Sequence, residues 1–110
     1  MLIQVNTDGN VLGGEALSGE VQRVVTHALA HLSERISRVE VHLSDEDGPG
    51  RAQDDQRCLM EARVEGLQPI AVTHHASGRH EAIDGAAEKL KRLLEHTLGK
   101  HKDHRHPVTP

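Results

Sequence analysis

Residues 78–102 read GRHEAIDGAAEKLKRLLEHTLGKHK, and the rest of the chain is best interpreted around this stretch. Its apolar residues recur at intervals of three and four, the spacing that gathers side chains along one face of an α-helix. The members of this apolar face are Ala82, Ile83, Ala86, Ala87, Leu90, Leu93, Leu94 and Leu98. The pattern predicts a helix packed on a core. We expect Ser77 to cap its start and Gly99 to end it, since these residue types favour those positions.

A second set of residues on this helix is cationic. Lys89, Arg92, His96 and Lys100 follow one another at steps of three, four and four, so they lie along a different face of the helix from the apolar residues. We call these four residues the cationic stripe. They could contact phosphates, or they could form a solvated face on which nearby glutamates pair with the bases. Because charged helix faces are common, the pattern alone favours the solvated face.

Composition limits what the chain can be. A length of 110 residues predicts one domain, and the absence of Phe, Tyr and Trp leaves an aliphatic core without the rings on which single-stranded nucleic acids stack. The net charge of −4 argues against a nucleic-acid partner, but five of the 17 acids and one of the 13 bases lie in residues 45–55. From Arg79 onward there are seven Lys or Arg, five acids and five His. The C-terminal third is therefore the basic part, and acidification increases its positive charge.

Upstream periodicities predict the other elements. Residues 2–6, 36–44, 56–65 and 70–76 alternate as strands do, and residues 15–33 have a helical period. The order β-α-β-β-β-α predicts an α+β fold: a four-stranded sheet whose first two strands are parallel and whose others form an antiparallel meander, with both helices on one face. We expect residues 1–100 to form this single domain and the His-rich residues 101–110 to be a disordered tail. Residues 7–10 are predicted to be a turn, and residues 45–55 a solvated connection.

The sequence offers little sign of catalysis. Cys58 alternates with Met60 and Ala62 on a predicted core face, where a thiol behaves as a small hydrophobe, and as the single cysteine it forms no internal disulfide. Nucleophile elbows, phosphate-binding glycine loops and zinc-protease motifs do not occur. We therefore predict no enzyme activity, no cofactor and no small-molecule substrate. Without an apolar run of membrane-spanning or signal-peptide length, we predict a cytoplasmic protein with no membrane partner.

The tail histidines are candidates for a metal site. His101, His104 and His106 could join His74 or His75 around a transition metal, because neutral imidazole is a common ligand. Their spacing matches no known closed site, and ordering a flexible tail costs entropy. We predict no metal.

Several motifs resemble a known family. The run His80-Glu81-Ala82-Ile83-Asp84-Gly85, followed by Glu88-Lys89-Leu90 and Gly99-Lys100-His101-Lys102, is similar to the second helix of ribosome hibernation-promoting factors and the ribosome-associated inhibitor, the sigma-54 modulation family. Glu34-Arg35-Ile36 leading into Val39-Glu40-Val41 resembles that family's helix-to-strand junction. The likeness spans residues 2–102. It is to a member of the short type, without the added C-terminal dimerisation domain of long members, and to a divergent one, because His80 stands where the family often has Tyr.

The resemblance implies a fold akin to a double-stranded-RNA-binding domain and a place on the small ribosomal subunit. It implies binding to 16S rRNA in the channel used by mRNA and tRNA, which promotes ribosome hibernation under stress or in stationary phase. Lys89, Arg92, Lys100 and Lys102 fall where the family has its basic helix-two surface, and Arg23 lies on the polar side of the first helix. Together with His27, His31 and His96 on the same polar faces, they are the predicted rRNA-binding residues. With this likeness, phosphate contact becomes the favoured explanation of the cationic stripe.

An alternative keeps the same fold but changes the function. In it, the chain is a divergent paralogue with weak or no rRNA binding that acts as a protein-interaction module. Its binding surface would then be the sheet face away from the helices, including Arg57, Leu59, Glu61 and Arg63, or the acidic connection of residues 45–55. The oligomeric state stays open.

Overall fold

The elements occur in the predicted order. A computed structural model describes residues 1–8, 13–45 and 55–105, with side chains described as far as residue 99. The elements are β1 (Leu2–Thr7), α1 (Glu15–Ala28), a short 3-10 helix (Ala30–Leu32), β2 (Ile36–Asp45), β3 (Gln56–Val64), β4 (Ile70–Ala76) and α2 (Arg79–Arg105). The predicted α+β fold with the order β-α-β-β-β-α is confirmed. The predicted turn of residues 7–10 and solvated connection of residues 45–55 fall largely in stretches outside the described residues.

The four strands form one mixed sheet in the order β1-β2-β3-β4. β1 and β2 are parallel, with Val5 opposite Val41, whereas β2–β3 and β3–β4 are antiparallel. This is the arrangement expected when a helix connects the first two strands and short loops connect the others. Alternate strand residues are buried beneath both helices, and the other half of each strand belongs to a face without helices, which we call the open sheet face.

The core lies between the helices and the sheet and is entirely aliphatic apart from its sulfur-containing side chains. Its buried members are Leu17, Val21, Val25, Leu29, Ile36, Val39, Val41, Leu43, Cys58, Met60, Ala62, Val64, Ala82, Ile83, Ala86, Ala87, Leu90, Leu94 and Leu98. Seven of the eight residues on the predicted apolar face of α2 are among them. Leu93 is 37% exposed because it lies at the edge of this apolar face. Burial raises the pKa of Cys58 to about 12, so its thiol stays protonated and inert at neutral pH.

The predicted first helix is too long. α1 ends at Ala28, where Leu29 leaves the helical conformation with φ −108° and ψ 15°, and a 3-10 turn follows. Leu29 is nevertheless fully buried, so the helical period of the sequence includes it. The apolar spacing therefore continues past the point where the backbone turns toward β2.

The start of α2 also differs from the prediction. Its first helical hydrogen bond runs from the Ala82 N–H to the Gly78 carbonyl, 3.0 Å, so Gly78 and not Ser77 occupies the N-cap position. The Glu81 carboxylate, on the third residue of the helix, folds back against Gly78 at the helix start.

Gly99 does not end α2, which continues to Arg105. A glycine in a helix interior costs about 1 kcal/mol relative to alanine, which is too little to stop a helix whose preceding turn is anchored by buried Leu98. Residues 101–105, which were predicted to belong to a disordered tail, are thus helical. The rest of that predicted tail, residues 106–110, lies outside the described residues.

Gly85 has a packing role that the sequence did not indicate. A β-carbon at this position of α2 would collide with the imidazole of His74 on β4, whereas one at Gly99 would meet nothing within 4 Å. We expect Gly85→Ala to lower the free energy of unfolding by about 1–3 kcal/mol, because overpacking outweighs the gain in helix propensity. Urea unfolding measures this.

Gly99→Ala is the matched control for that substitution, since it makes the same change in the same helix in open space. It should stabilise the protein by up to about 1 kcal/mol. The double variant Gly85→Ala/His74→Ala should recover most of the lost stability. Equal stabilisation by both single alanine variants would show that His74 does not restrict position 85.

Candidate nucleic-acid interface

Lys89, the first residue of the cationic stripe, lies on α2 beside one edge of the sheet. β4 forms that edge, and the Lys89 ammonium donates a hydrogen bond to the Thr73 carbonyl of β4 at 3.0 Å. An ammonium has three donors, so this bond leaves two for other acceptors. Lys89 therefore binds a backbone carbonyl of the edge strand while its side chain remains exposed to solvent.

Arg92 and His96 continue the cationic stripe on the surface. The Arg92 side chain is 77% exposed, and its Nε donates to Glu88 Oε1 at 3.1 Å across one helical turn. Such exposed pairs contribute little stability, and the two Nη groups keep their donors for a ligand. His96 is exposed on the same helix. Residues 100 and 102 are helical, while the Lys100 and Lys102 side chains lie outside the described part of the structure.

The predicted residues of α1 lie in a different environment. Arg23 and His27 are exposed and line an open groove of 410 Å³ between α1 and α2. The groove is lined by Arg23, Val24, His27, Ala28, Asp84, Ala87 and Glu88. Its floor is apolar, α1 supplies the basic wall and α2 supplies the acidic wall. The cations of α1 thus face carboxylates of α2.

Two histidines pair with acids across the boundary between the helices, one on either side of this groove. His31 Nε2, in the 3-10 helix that follows α1, lies 2.8 Å from Glu95 Oε2 of α2. His80 Nδ1 lies 2.5 Å from Glu20 Oε2 of α1, and its Nε2 lies 3.1 Å from Asp84 Oδ2. The hydrogen bond to Glu20 and the nearby charge of Asp84 raise the pKa of His80 above its ordinary value. We call this surface between the two helices, with its groove and two bridges, the helix seam.

The structure therefore divides the predicted rRNA-binding residues into two groups. Lys89, Arg92 and His96 belong to the cationic stripe of α2, whereas Arg23, His27 and His31 lie along the helix seam, where His31 contacts Glu95. The sequence did not indicate Glu20, Asp84 and Glu95 as partners there. His80 and Glu20 are 60 residues apart, and no spacing rule connects residues at that separation.

Opposite charges form a network on the open sheet face, which is the surface that the alternative hypothesis would use. Glu40 is only 18% exposed and lies 3.4 Å from Arg38, 3.8 Å from His42 and 3.7 Å from Arg63. Arg63 also pairs with Glu61 at 3.6 Å. Much of the charge on this face is compensated within the sheet.

The described residues offer neither a metal site nor a membrane-spanning helix. Among them, no three or more His, Cys, Asp or Glu side chains are grouped to hold a metal ion. The side chains of His101, His104 and His106 fall outside that set. None of the helices in the described parts of the chain is long and apolar enough to span a membrane.

Comparison with known proteins decides the family. The model of the sigma 54 modulation protein / S30EA ribosomal protein family matches residues 10–102. The chain belongs to this family. The family predicted from the motifs of α2 and β2 is thereby confirmed, and it is a family of ribosome-associated factors. No curated protein sequence matches the chain significantly.

Two solved structures share the fold. A ribosomal subunit interface protein from Coxiella burnetii is similar with a TM-score of 0.73 and 16% identity, covering 90% of this chain and 99% of that one. The N-terminal domain of Thermus thermophilus Protein Y is similar with a TM-score of 0.70 and 17% identity, covering 88% of this chain and 99% of that domain. At these identities the likeness concerns the fold.

Proposed function

We propose that this protein is a cytoplasmic, non-enzymatic translation regulator that binds 16S rRNA in the mRNA and tRNA channel of the small ribosomal subunit and promotes ribosome hibernation. One observation carries the proposal most strongly: α2 buries its apolar face completely at Leu90 and Leu94 while Lys89 and Arg92 present their charges on another side. Family membership and the likeness to a ribosomal subunit interface protein support a ribosomal partner.

The proposed mechanism requires binding alone. Phosphate contacts from the cationic stripe fix the position of the domain, and the shape of the folded rRNA selects the site. Arg92 suits this role because its two free Nη groups can hold one phosphate in a bidentate way. The bound domain then occupies space that mRNA and tRNA need, so no chemical step is required.

Charge makes this binding sensitive to salt. The whole chain carries a formal charge of −4, so attraction to rRNA must come from the local arrangement of cations and not from the net field. Contacts to phosphate release counterions, and affinity therefore falls steeply as salt rises. We expect tight association only at low to moderate ionic strength.

Co-sedimentation with purified small subunits tests the proposal. The protein should pellet with the subunits at low salt and should be released progressively as salt increases. Competition by mRNA and tRNA should also release it, since they occupy the same channel. If the protein sediments apart from small subunits even at low salt, the proposed function is wrong.

The acids of the helix seam are also compatible with the alternative function. His31 contacts Glu95, and Arg23 and His27 share a groove with Asp84 and Glu88, so nearby acids lower the positive charge that these residues can offer to rRNA. In that case this chain would be a divergent paralogue with weak rRNA binding, and it would bind a protein partner through the open sheet face. Arg57, Leu59, Glu61 and Arg63 line that face beside the central network around Glu40.

A further inference from the structure

The helix seam contains three histidines set among acids. His80 contacts Glu20 and Asp84, His31 contacts Glu95, and His27 lies between them on the groove. The two bridges are roughly 22 Å apart along α2, because each helical residue adds about 1.5 Å. Imidazoles are thus spaced along the whole seam and not concentrated at one point.

Protonation of these histidines removes the negative charge of the seam. The charged groups that face or adjoin them on α1 and α2, apart from Arg92 of the cationic stripe, are Glu20, Arg23, Glu81, Asp84, Glu88, Lys91 and Glu95. Five carboxylates against two permanent cations leave a net negative charge while the histidines are neutral. Three added protons cancel it. The seam repels phosphate in the first state, whereas in the second the repulsion is gone and the protonated imidazoles can donate hydrogen bonds to phosphate.

We propose that the helix seam is a pH-gated extension of the rRNA-binding surface, which contacts phosphate only when His27, His31 and His80 carry protons. This inference rests on the proposed function, because the ligand is the same small-subunit rRNA. Lys89 and Arg92 bind at any physiological pH, and the seam adds contacts as the pH falls. The protein is thereby tuned to hold ribosomes more tightly in an acidified cytoplasm.

The direction of the effect follows from linkage. The pKa of His80 is raised by its hydrogen bond to Glu20 and by Asp84, so the bridge is fully charged below the ordinary value of 6.5 and is lost as pH rises through the raised value. Bound phosphate favours the same protonated form. Binding therefore takes up protons, and affinity rises as pH falls.

The experiment measures affinity for purified small subunits between about pH 6 and pH 8 at constant ionic strength, the range in which histidine titrates. The native protein should bind at least about tenfold more tightly at the acidic end than at the basic end, since each proton taken up contributes up to tenfold per pH unit. The variant His27→Gln/His31→Gln/His80→Gln should show less than about a twofold difference. Thermal unfolding at both ends of the range confirms that each variant is folded.

A second variant tests whether removing negative charge has the same effect as adding protons. Glu20→Gln/Asp84→Asn/Glu95→Gln removes acids whose charge the protonated histidines would offset. At the basic end of the range this variant should therefore bind about as tightly as the native protein does at the acidic end. The matched control His42→Gln/His75→Gln changes histidines of β2 and β4 that also lie near acids, Glu40 and Asp55. This control should keep the pH dependence of the native protein.

The outcomes separate the two proposals. Binding that is flat across the pH range, or a pH dependence that survives in the triple histidine variant, overturns the gating while leaving the proposed function intact. An absence of binding at every pH and at low salt overturns the proposed function, and the gating with it. Loss of pH dependence in the His42 and His75 control would place the effect outside the seam and overturn the gating.

Discussion

Lys89→Glu/Arg92→Glu should weaken association with the small ribosomal subunit by at least about a hundredfold. A hydrogen bond to a charged group contributes about 1.5–3 kcal/mol, so removing two of them costs about 3–6 kcal/mol, and every 1.4 kcal/mol is about a factor of ten. Repulsion between the new carboxylates and phosphate adds to this cost. Co-sedimentation at constant salt measures the effect, and circular dichroism confirms folding, because Lys89 also bonds to Thr73.

The matched control makes the same change of charge on the open sheet face. Arg57→Glu/Arg63→Glu should change affinity for the subunit by less than about threefold, since a surface charge distant from the bound phosphates is largely screened. The reverse ranking, in which the α2 variant keeps ribosome binding and the sheet variant fails to bind a protein partner, would favour the protein-interaction alternative.

Leu90→Ala should lower the free energy of unfolding by about 2–5 kcal/mol. Leu90 is fully buried near the middle of α2, and its truncation removes apolar packing and leaves a cavity. The total free energy of unfolding of a small domain is only about 5–15 kcal/mol. This core also has no aromatic side chain that could fill the cavity. Urea unfolding followed by circular dichroism gives the value.

Leu93→Ala is the control for that measurement. It makes the same truncation about one turn away in the same helix, but Leu93 is 37% exposed, so the destabilisation should stay below about 1 kcal/mol. Similar destabilisation at both positions would mean that the apolar face of α2 does not anchor the sheet.

The periodicity of the apolar residues allowed most of the fold to be predicted. A period of about 3.6 residues in α2 identified Leu90 and Leu94 as core positions, and a period of 2 in β3 identified Cys58. The helix ends were predicted less well. Ser77 and Gly99 have the right residue types for caps, but the helix begins one residue later and continues through the glycine. Local preferences of about 1 kcal/mol do not fix an end when neighbouring turns are packed.

The candidate site was predictable only in part. Lys89 and Arg92 lie on one helix, so their placement on a common face follows from spacing within the sequence. The pairing of His80 with Glu20 and of His31 with Glu95 depends on how α1 packs against α2, which no local pattern encodes. For this reason the sequence indicated Arg23, His27 and His31 as rRNA-binding residues alongside those of α2 without showing that they lie along a seam of mixed charge.

The slope of affinity against salt concentration measures phosphate binding by the cationic stripe. With purified small subunits, log K should fall linearly with log salt for the native protein, and the neutral variant Lys89→Gln/Arg92→Gln should reduce the slope by about two, roughly one for each phosphate that is no longer neutralised. Arg57→Gln/Arg63→Gln should leave it unchanged. A slope identical in the native protein and the Lys89 and Arg92 variant would show that these side chains touch no phosphate, and α2 would then be a structural helix only.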